Sequence, residues 1–515
     1  MAIYRAFLTL GSWTMASRIL GFVRDVLIAS VVGASLVADV FFVAFKFPNF
    51  FRRIFAEGAF NSAFVPLFSE HLTKNGLTAA KQFAAQVNAI MVSVLTGFTL
   101  LALLLMPWLM ILVAPGFKEQ PEKFQLVIEL TQITFPYLLF MALLSLLGGM
   151  LNALDRFAET AAAPIGLNFI LIAVLLLVRE GVVSSTAHAL AWGVCLSGVV
   201  QFLWLVFACR RAGLLIRLPY PKLSPEVKRL LRLMLPGVIG AGVVHINLVV
   251  DVILATLLSE GSVSWLYYAD RINQFPLGIV GVAIGVALLP ALSRNIAKGN
   301  LELAISIQNR AIELCLVLCI PASAAFLVLA EPIAVVLFQR GEFMPIDAKA
   351  TAKALTAFAY GLPAFVLIKA FSPGFFARKD TITPVKIAAF SMILNVILAV
   401  FLMQYLGHVG IALATSVTAW INVFALAALL IRRGYFRFDT NLLARLPRIV
   451  FSTVFMVAGL LAGVDVLSSP LAGSELSRSS ALLGLIICGG SIYLVAIQVT
   501  GAFRFSDLRN KKGDV

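Results

Sequence analysis

Charge is scarce in this chain. Of 515 residues, 13% are Asp, Glu, Lys or Arg, and only 25 are acidic, whereas soluble globular proteins carry about 25% charged residues. With 61% hydrophobic residues and a mean hydropathy of +0.99, a soluble globular fold is excluded. The alternating pattern of a membrane barrel is missing too. The spans must therefore be helices, which satisfy their own backbone groups in lipid. The five cysteines, Cys195, Cys209, Cys315, Cys319 and Cys488, lie in or beside apolar segments without metal-ligand spacing, so neither a disulfide framework nor a metal site is expected. His71, His188, His245 and His408 form no His-x-x-x-His set. No Gly-Lys dipeptide occurs, which removes the Walker A loop and the ATPases that depend on it. The N-terminal apolar run is interrupted by Arg18 and Arg24 and reads as a retained first span rather than a signal peptide.

What is present is a series of segments of about 20 or more apolar residues, the length a bilayer requires. Fourteen are expected, near residues 6–32, 36–69, 82–113, 125–152, 160–178, 187–209, 233–258, 263–293, 311–338, 354–377, 387–406, 409–431, 449–466 and 481–502. With both termini inside, the inner segments hold 26 Lys and Arg and the outer loops 7, a strong positive-inside signal. The net charge of +15 is thus mainly a topology signal with an affinity for anionic lipid, and nucleic acid is not needed to explain it.

The first six spans resemble the next six. Ala63-Phe-Val-Pro66-Leu-Phe-Ser69 followed by Lys74 returns as Ala287-Leu-Leu-Pro290-Ala-Leu-Ser293 followed by Lys298, a shift of 224. Pro107 through Gly116 corresponds to Pro332 through Gly341, a shift of 225, and the loop at Asp155-Arg156 to that at Lys379-Asp380. Six spans per copy is an even number, so the copies share orientation, as in transporters that hold substrate between two parallel repeats. The expected organisation is an N-lobe over 1–211, a basic cytoplasmic linker over 212–232, a C-lobe over 233–433, and a final pair of spans with a cytoplasmic tail over 434–515.

Seven of the forty Lys and Arg residues fall inside spans: Arg18, Arg24, Lys46, Arg52, Arg53, Arg271 and Lys369. A cation at the bilayer centre costs about 2.5–3.5 kcal/mol on insertion scales and persists where it faces a bundle interior or a wet cavity. Arg18 and Asp25 lie seven apart on one helical face. In the second span Asp39, Lys46, Asn49, Arg53 and Glu57 form one polar stripe, with Pro48 expected to kink it and Arg53–Glu57 spaced as an i, i+4 pair. The first two spans hold five cations against three carboxylates. A pathway lined by surplus cations expects an anion. Arg18, Arg24, Arg52 and Arg271 are the candidate ligand contacts, since a guanidinium binds phosphate bidentately and stays charged. Asp25, Asp39, Lys46, Asn49, Arg53, Glu57 and Asp270 are the supporting residues.

The stretch Gly21-Phe-Val-Arg-Asp25, the block Ala38-Asp-Val-Phe-Phe-Val-Ala-Phe-Lys-Phe-Pro-Asn49 with Arg52-Arg-Ile-Phe-Ala-Glu-Gly-Ala-Phe60, and Ser264-Trp-Leu-Tyr-Tyr-Ala-Asp-Arg271 resemble the MurJ (MviN) lipid II flippases of the multidrug/oligosaccharidyl-lipid/polysaccharide exporter superfamily. The resemblance runs over essentially the whole chain. It implies an all-α polytopic protein with two six-helix lobes and a further helix pair forming a lipid groove. It implies transport, without covalent chemistry, of undecaprenyl-diphosphate disaccharide-pentapeptide from the inner to the outer leaflet of the bacterial cytoplasmic membrane. Lipid II, membrane lipids and cell-wall synthesis proteins are then the expected partners, with no cofactor beyond coupling to membrane potential or an ion. The family's cavity arginines map onto Arg18, Arg24, Arg52 and Arg271, with Asp25 and Asp39 as acidic neighbours. The cation site proposed for some relatives in the eleventh span is not carried over, because residues 387–406 hold no carboxylate. A multidrug or polysaccharide-lipid exporter of the same superfamily, and a membrane glycosyltransferase or polymerase, are the competing readings; short outer loops leave the latter little room for a catalytic domain.

Overall fold

The computed structural model describes residues 2–54, 60–216 and 218–503; Glu57 lies outside them. No strand occurs among the described residues. The helices are α1 (Ala2–Val32), α2 (Leu36–Arg52), α3 (Asn61–Leu104), α4 (Met106–Val113), α5 (Pro121–Thr134), α6 (Tyr137–Asn152), α7 (Phe157–Arg179), α8 (Thr186–Arg211), α9 (Pro225–Thr256), α10 (Ser262–Ala297), α11 (Leu301–Phe338), α12 (Pro345–Phe376), α13 (Ile382–Leu406), α14 (His408–Arg432), α15 (Thr440–Val466), α16 (Ser468–Ala472) and α17 (Glu475–Val499).

Among the described residues, ten stretches are long and apolar enough to cross a bilayer: α3, the α5–α6 pair, α7, α8, α11 to α15 and α17. The other four expected spans run along α1, α2, α9 and α10, helices that carry charge at span depth. Gly76 breaks α3 at φ 78° and ψ 176°, a backbone region open essentially to glycine. This break separates the end of the second expected span from the start of the third.

Backbone geometry carries the internal repeat. Among the described residues, the positive-φ non-glycine residues are Asp155 (φ 59°) and Lys379 (φ 62°), 224 positions apart, the shift that relates the Pro66 and Pro290 motifs. Left-handed φ at a non-glycine residue is uncommon, so its recurrence at equivalent loops is strong support for duplication.

Two compact units are distinguished, residues 1–264 with 340–343 and residues 265–339 with 344–515. This division by packing differs from the one by repeat. Helix α9 opens the second repeat, yet it packs on α2, α3 and α4 in the first unit.

Prolines inside helices shape the packing. Proline cannot donate to the carbonyl four residues back, and in lipid an orphaned carbonyl is costly. Neighbouring helices supply hydroxyls instead. Pro48 leaves the Ala44 carbonyl free to accept from Thr134 Oγ1 on α5 at 2.8 Å. Pro321 releases the Val317 carbonyl to Tyr493 on α17 at 2.6 Å, and Pro363 releases that of Ala359 to Ser323 on α11 at 2.6 Å. Each proline thereby becomes a tether. Helix α2 accordingly runs on through Pro48 to Arg52.

Candidate functional site

In the first unit, Arg24 and Asp25 are adjacent on α1 and both buried. Arg24 donates from Nε (3.1 Å) and Nη2 (2.7 Å) to Asp25 Oδ1, and from Nη1 to Asn168 Oδ1 on α7 at 2.9 Å. The Asn168 amide is itself oriented, because Nδ2 donates to the Ser17 carbonyl at 2.9 Å. Gly21 sits in van der Waals range of this amide: a Cβ there would lie 3.5 Å from Asn168 Oδ1. The guanidinium also stands 5.9 Å from the Phe45 ring centroid of α2. All three Arg24 nitrogens thus engage Asp25 or Asn168, and Arg24 is held in place rather than projecting freely.

Arg18, two turns earlier, is exposed and makes no side-chain hydrogen bond or ion pair among the described residues. On α2, Arg52 is half-buried and donates from Nε to Asn49 Oδ1 at 2.8 Å, while Asn49 donates to the Phe45 carbonyl at 2.7 Å. Arg53 is exposed and Lys46 half-buried. The expected Arg53–Glu57 pair lies outside the described residues.

Asp39 departs from the expectation that it neighbours the arginines. It is buried, 1% exposed, and its Oδ1 accepts from Ser264 N (3.0 Å) and Ser264 Oγ (2.7 Å). Its Oδ2 accepts from Gly261 N at 2.8 Å and lies 3.5 Å from Lys123 Nζ. Lys123, counted by sequence as an outer-loop cation, is buried in the first turn of α5 beside the Phe117 ring, 4.2 Å from its centroid. The physical reason is position. Asp39 lies in the first turn of α2, remote from Arg52 at its end, and backbone N–H groups of the α9–α10 turn reach it first. The charge balance shifts with it. Asp39 no longer counts against the cations of the first two spans, which leaves five against Asp25 and Glu57.

Close backbone contacts surround this end of the unit. A Cβ at Gly116 would fall 2.0 Å from the Thr256 carbonyl oxygen, and one at Gly341 2.1 Å from that of Ser30. These are equivalent pairs, 225 and 226 positions apart, so the end of α9 seats on the first repeat as the end of α1 seats on the second. Glu342 N donates to the Ser30 carbonyl at 2.9 Å, and Glu260 Oε1 accepts from Leu36 N at 2.7 Å, capping α2.

In the second unit, Arg271 on α10 is half-buried. Its Nη2 donates to the Tyr267 hydroxyl at 2.8 Å, and its guanidinium stands 4.9 Å from that ring's centroid. Asp270 accepts from Gln274 Nε2 at 2.5 Å. Lys369 of α12 lies over Gly281 of α10, where a Cβ would meet its Nζ at 2.7 Å.

Sequence reasoning missed Asn168, Ser264 and Lys123. Asn168 carried a signal, an amide within an otherwise apolar fifth span. Ser264 and Gly261 carried none, since they act largely through backbone N–H groups.

The sequence profile of the family described as lipid II flippase MurJ matches residues 28–478. The chain belongs to the MurJ lipid II flippase family. A probable lipid II flippase MurJ of Rhizobium meliloti (strain 1021) is 44% identical over 98% of this chain and 95% of its own length. That of Vibrio cholerae is 35% identical over 98% of each. A solved structure described as lipid II flippase MurJ in an inward closed conformation matches with a TM-score of 0.80 at 25% identity, covering 98% of this chain and 100% of its own. A multidrug resistance MATE transporter of the MOP superfamily shares the fold, with a TM-score of 0.68 at 14% identity over 83% of this chain and 98% of its own. MurJ membership makes this chain a multi-pass transporter of the inner membrane and not an enzyme.

Proposed function

We propose that this lipid II flippase moves its substrate by alternating access, with the headgroup diphosphate held by Arg18, Arg52 and Arg271 and by Arg24 once Asp25 yields. The observation that carries this reading is the cation surplus of the first two spans, five against two once Asp39 is committed to Lys123 and Ser264. A diphosphate cannot cross hydrocarbon bare, because an isolated buried ion faces a penalty of tens of kcal/mol by Born solvation. Fixed guanidinium groups replace its hydration. Asp25 is an exchangeable counter-ion: it keeps Arg24 oriented while the site is empty and moderates the attraction so that release remains feasible. Asp270, Lys46, Asn49, Arg53 and Glu57 support the same chamber.

The lobes 1–211 and 233–433 rock about it, with the linker 212–232 and both termini cytoplasmic. The prenyl tail stays in lipid, guided by α15 and α17. The Asp39–Ser264 contact joins the first repeat to the second, so it must open when the headgroup is exposed outside. Membrane potential can assist, at about 2.3 kcal/mol per charge per 100 mV. Cell-wall synthesis proteins are partners that would receive the product.

A leaflet-specific accessibility assay for lipid II in cells depleted of the protein tests this. Arg18→Ala, Arg52→Ala and Arg271→Ala, each checked for membrane insertion, should fail to restore outer-leaflet exposure. Normal exposure with any one removes that residue from the site. For Arg24→Ala the paired Arg24→Ala/Asp25→Ala variant is needed, because the single change strands a buried carboxylate at a cost of about 3–5 kcal/mol.

A further inference from the structure

Arg24 is gripped on two different sides. Nε and Nη2 share one edge of the planar guanidinium, and Nη1 is the corner opposite that edge. Asp25 closes the edge with a single oxygen, Oδ1, which accepts from Nε at 3.1 Å and from Nη2 at 2.7 Å. Asn168 of α7 holds the corner, its Oδ1 accepting from Nη1 at 2.9 Å. Both partners are deeply buried, Asp25 at 2% and Asn168 at 5% exposed.

The two holds differ in charge. A phosphate competes with the Asp25 carboxylate for the same edge, and it can offer a separate oxygen to each N–H of the fork. The Asn168 amide is neutral, so it sets no negative charge against an incoming anion. Nor can the amide turn over. Its Nδ2 donates to the Ser17 carbonyl at 2.9 Å, and a flipped amide would set Nδ2 against the Nη1 donor and Oδ1 against the Ser17 oxygen. Asn168 therefore anchors on Ser17 and Arg24 together, residues seven apart on one face of α1. Gly21 between them leaves room for the amide to lie on that face, where a Cβ would stand 3.5 Å from its Oδ1.

Given that Arg24 takes the headgroup diphosphate, the reading on which this step rests, we infer that Asn168 is a positioning residue for that contact: it keeps hold of Nη1 while Asp25 and a phosphate exchange on the Nε–Nη2 edge. Only the acid has to move. Without the amide, a guanidinium parting from Asp25 would lose its orientation, and re-ordering it would weaken binding.

The test is a lipid II titration of the purified full-length chain in neutral detergent, at a temperature below every variant's thermal midpoint. Asn168→Leu removes the amide at nearly constant volume and should lower lipid II affinity about tenfold, the scale of one hydrogen bond to a charged group. Made in the Arg24→Ala/Asp25→Ala background, the same change should lower it no further, because the group it positions is gone. Asn168→Ala carries the same comparison if leucine does not fit. An equal fall in both backgrounds overturns the proposal, since it would show that Asn168 serves helix packing alone. Parental affinity in the Asn168 variants, with reduced affinity in Arg24→Ala/Asp25→Ala, overturns it while leaving Arg24 in the site. Parental affinity in Arg24→Ala/Asp25→Ala removes Arg24 from the site and the role of Asn168 with it.

Discussion

Arg24 shows how one side chain can be both buried and charged at bilayer depth. Its neighbour Asp25 supplies the counter-charge, and Asn168 supplies an oriented acceptor from a helix 144 positions away in sequence. Asn168→Ala should therefore remove the acceptor of the Arg24 Nη1 donor and cost about 1–3 kcal/mol, read as a lower thermal midpoint in detergent; an unchanged midpoint would show that the amide is not what holds the guanidinium. Asp380, in the loop before α13, is a second case outside the membrane. The Thr383 hydroxyl and backbone N–H, and then Arg433, pull its pKa down to about 2. A depressed acid contributes stability above the ordinary Asp pKa of about 3.9 and loses that contribution as pH falls through about 2. Thr383→Val should move the Asp380 titration upward, as followed by carboxylate-selective infrared or NMR titration, and the contribution should then be smaller and its loss complete at a higher pH.

At the scale of elements, prolines and glycines decide how helices meet. The carbonyls freed by Pro48, Pro321 and Pro363 become acceptors for Thr134, Tyr493 and Ser323. Glycine at 116 and 341 lets a backbone carbonyl approach where any Cβ would collide. Gly341 carries the further demand of φ +58°, so Gly341→Ala should destabilise the fold more than Gly116→Ala. Overpacking of this kind costs about 1–3 kcal/mol, and backbone strain adds to it at 341. Thermal unfolding of the two variants in parallel gives the order; the reverse order would mean that the turn relaxes without strain. The charge pattern of α1 and α2 was legible in sequence, whereas the partner of Asp39 was not. A carboxylate seven residues from Lys46 looks like part of its stripe, but the helix start places it among the N–H groups of the α9–α10 turn.

For the whole molecule, the distribution of Lys and Arg sets orientation. In a background without native cysteines, Lys118→Cys should react with a membrane-impermeant thiol reagent applied to intact cells, and Lys298→Cys should react only after permeabilisation. Labelling in the opposite pattern would invert the topology and with it the direction of transport. Packing adds what repeat counting did not anticipate, since α9 belongs to the second copy by sequence and to the first unit by contact.

Sequence alone determined the helical membrane class, the duplication and the surplus of positive charge, because hydropathy, period and net charge are sums over local residues and need no coordinates. Only the tertiary structure decided which cation each acid serves. Asp25 keeps Arg24, Asp39 goes to Lys123 and Ser264, and Glu313 takes Arg310 and Arg445. Pairing depends on distances of a few ångströms between helices, and those distances follow from the packing of the chain as a whole.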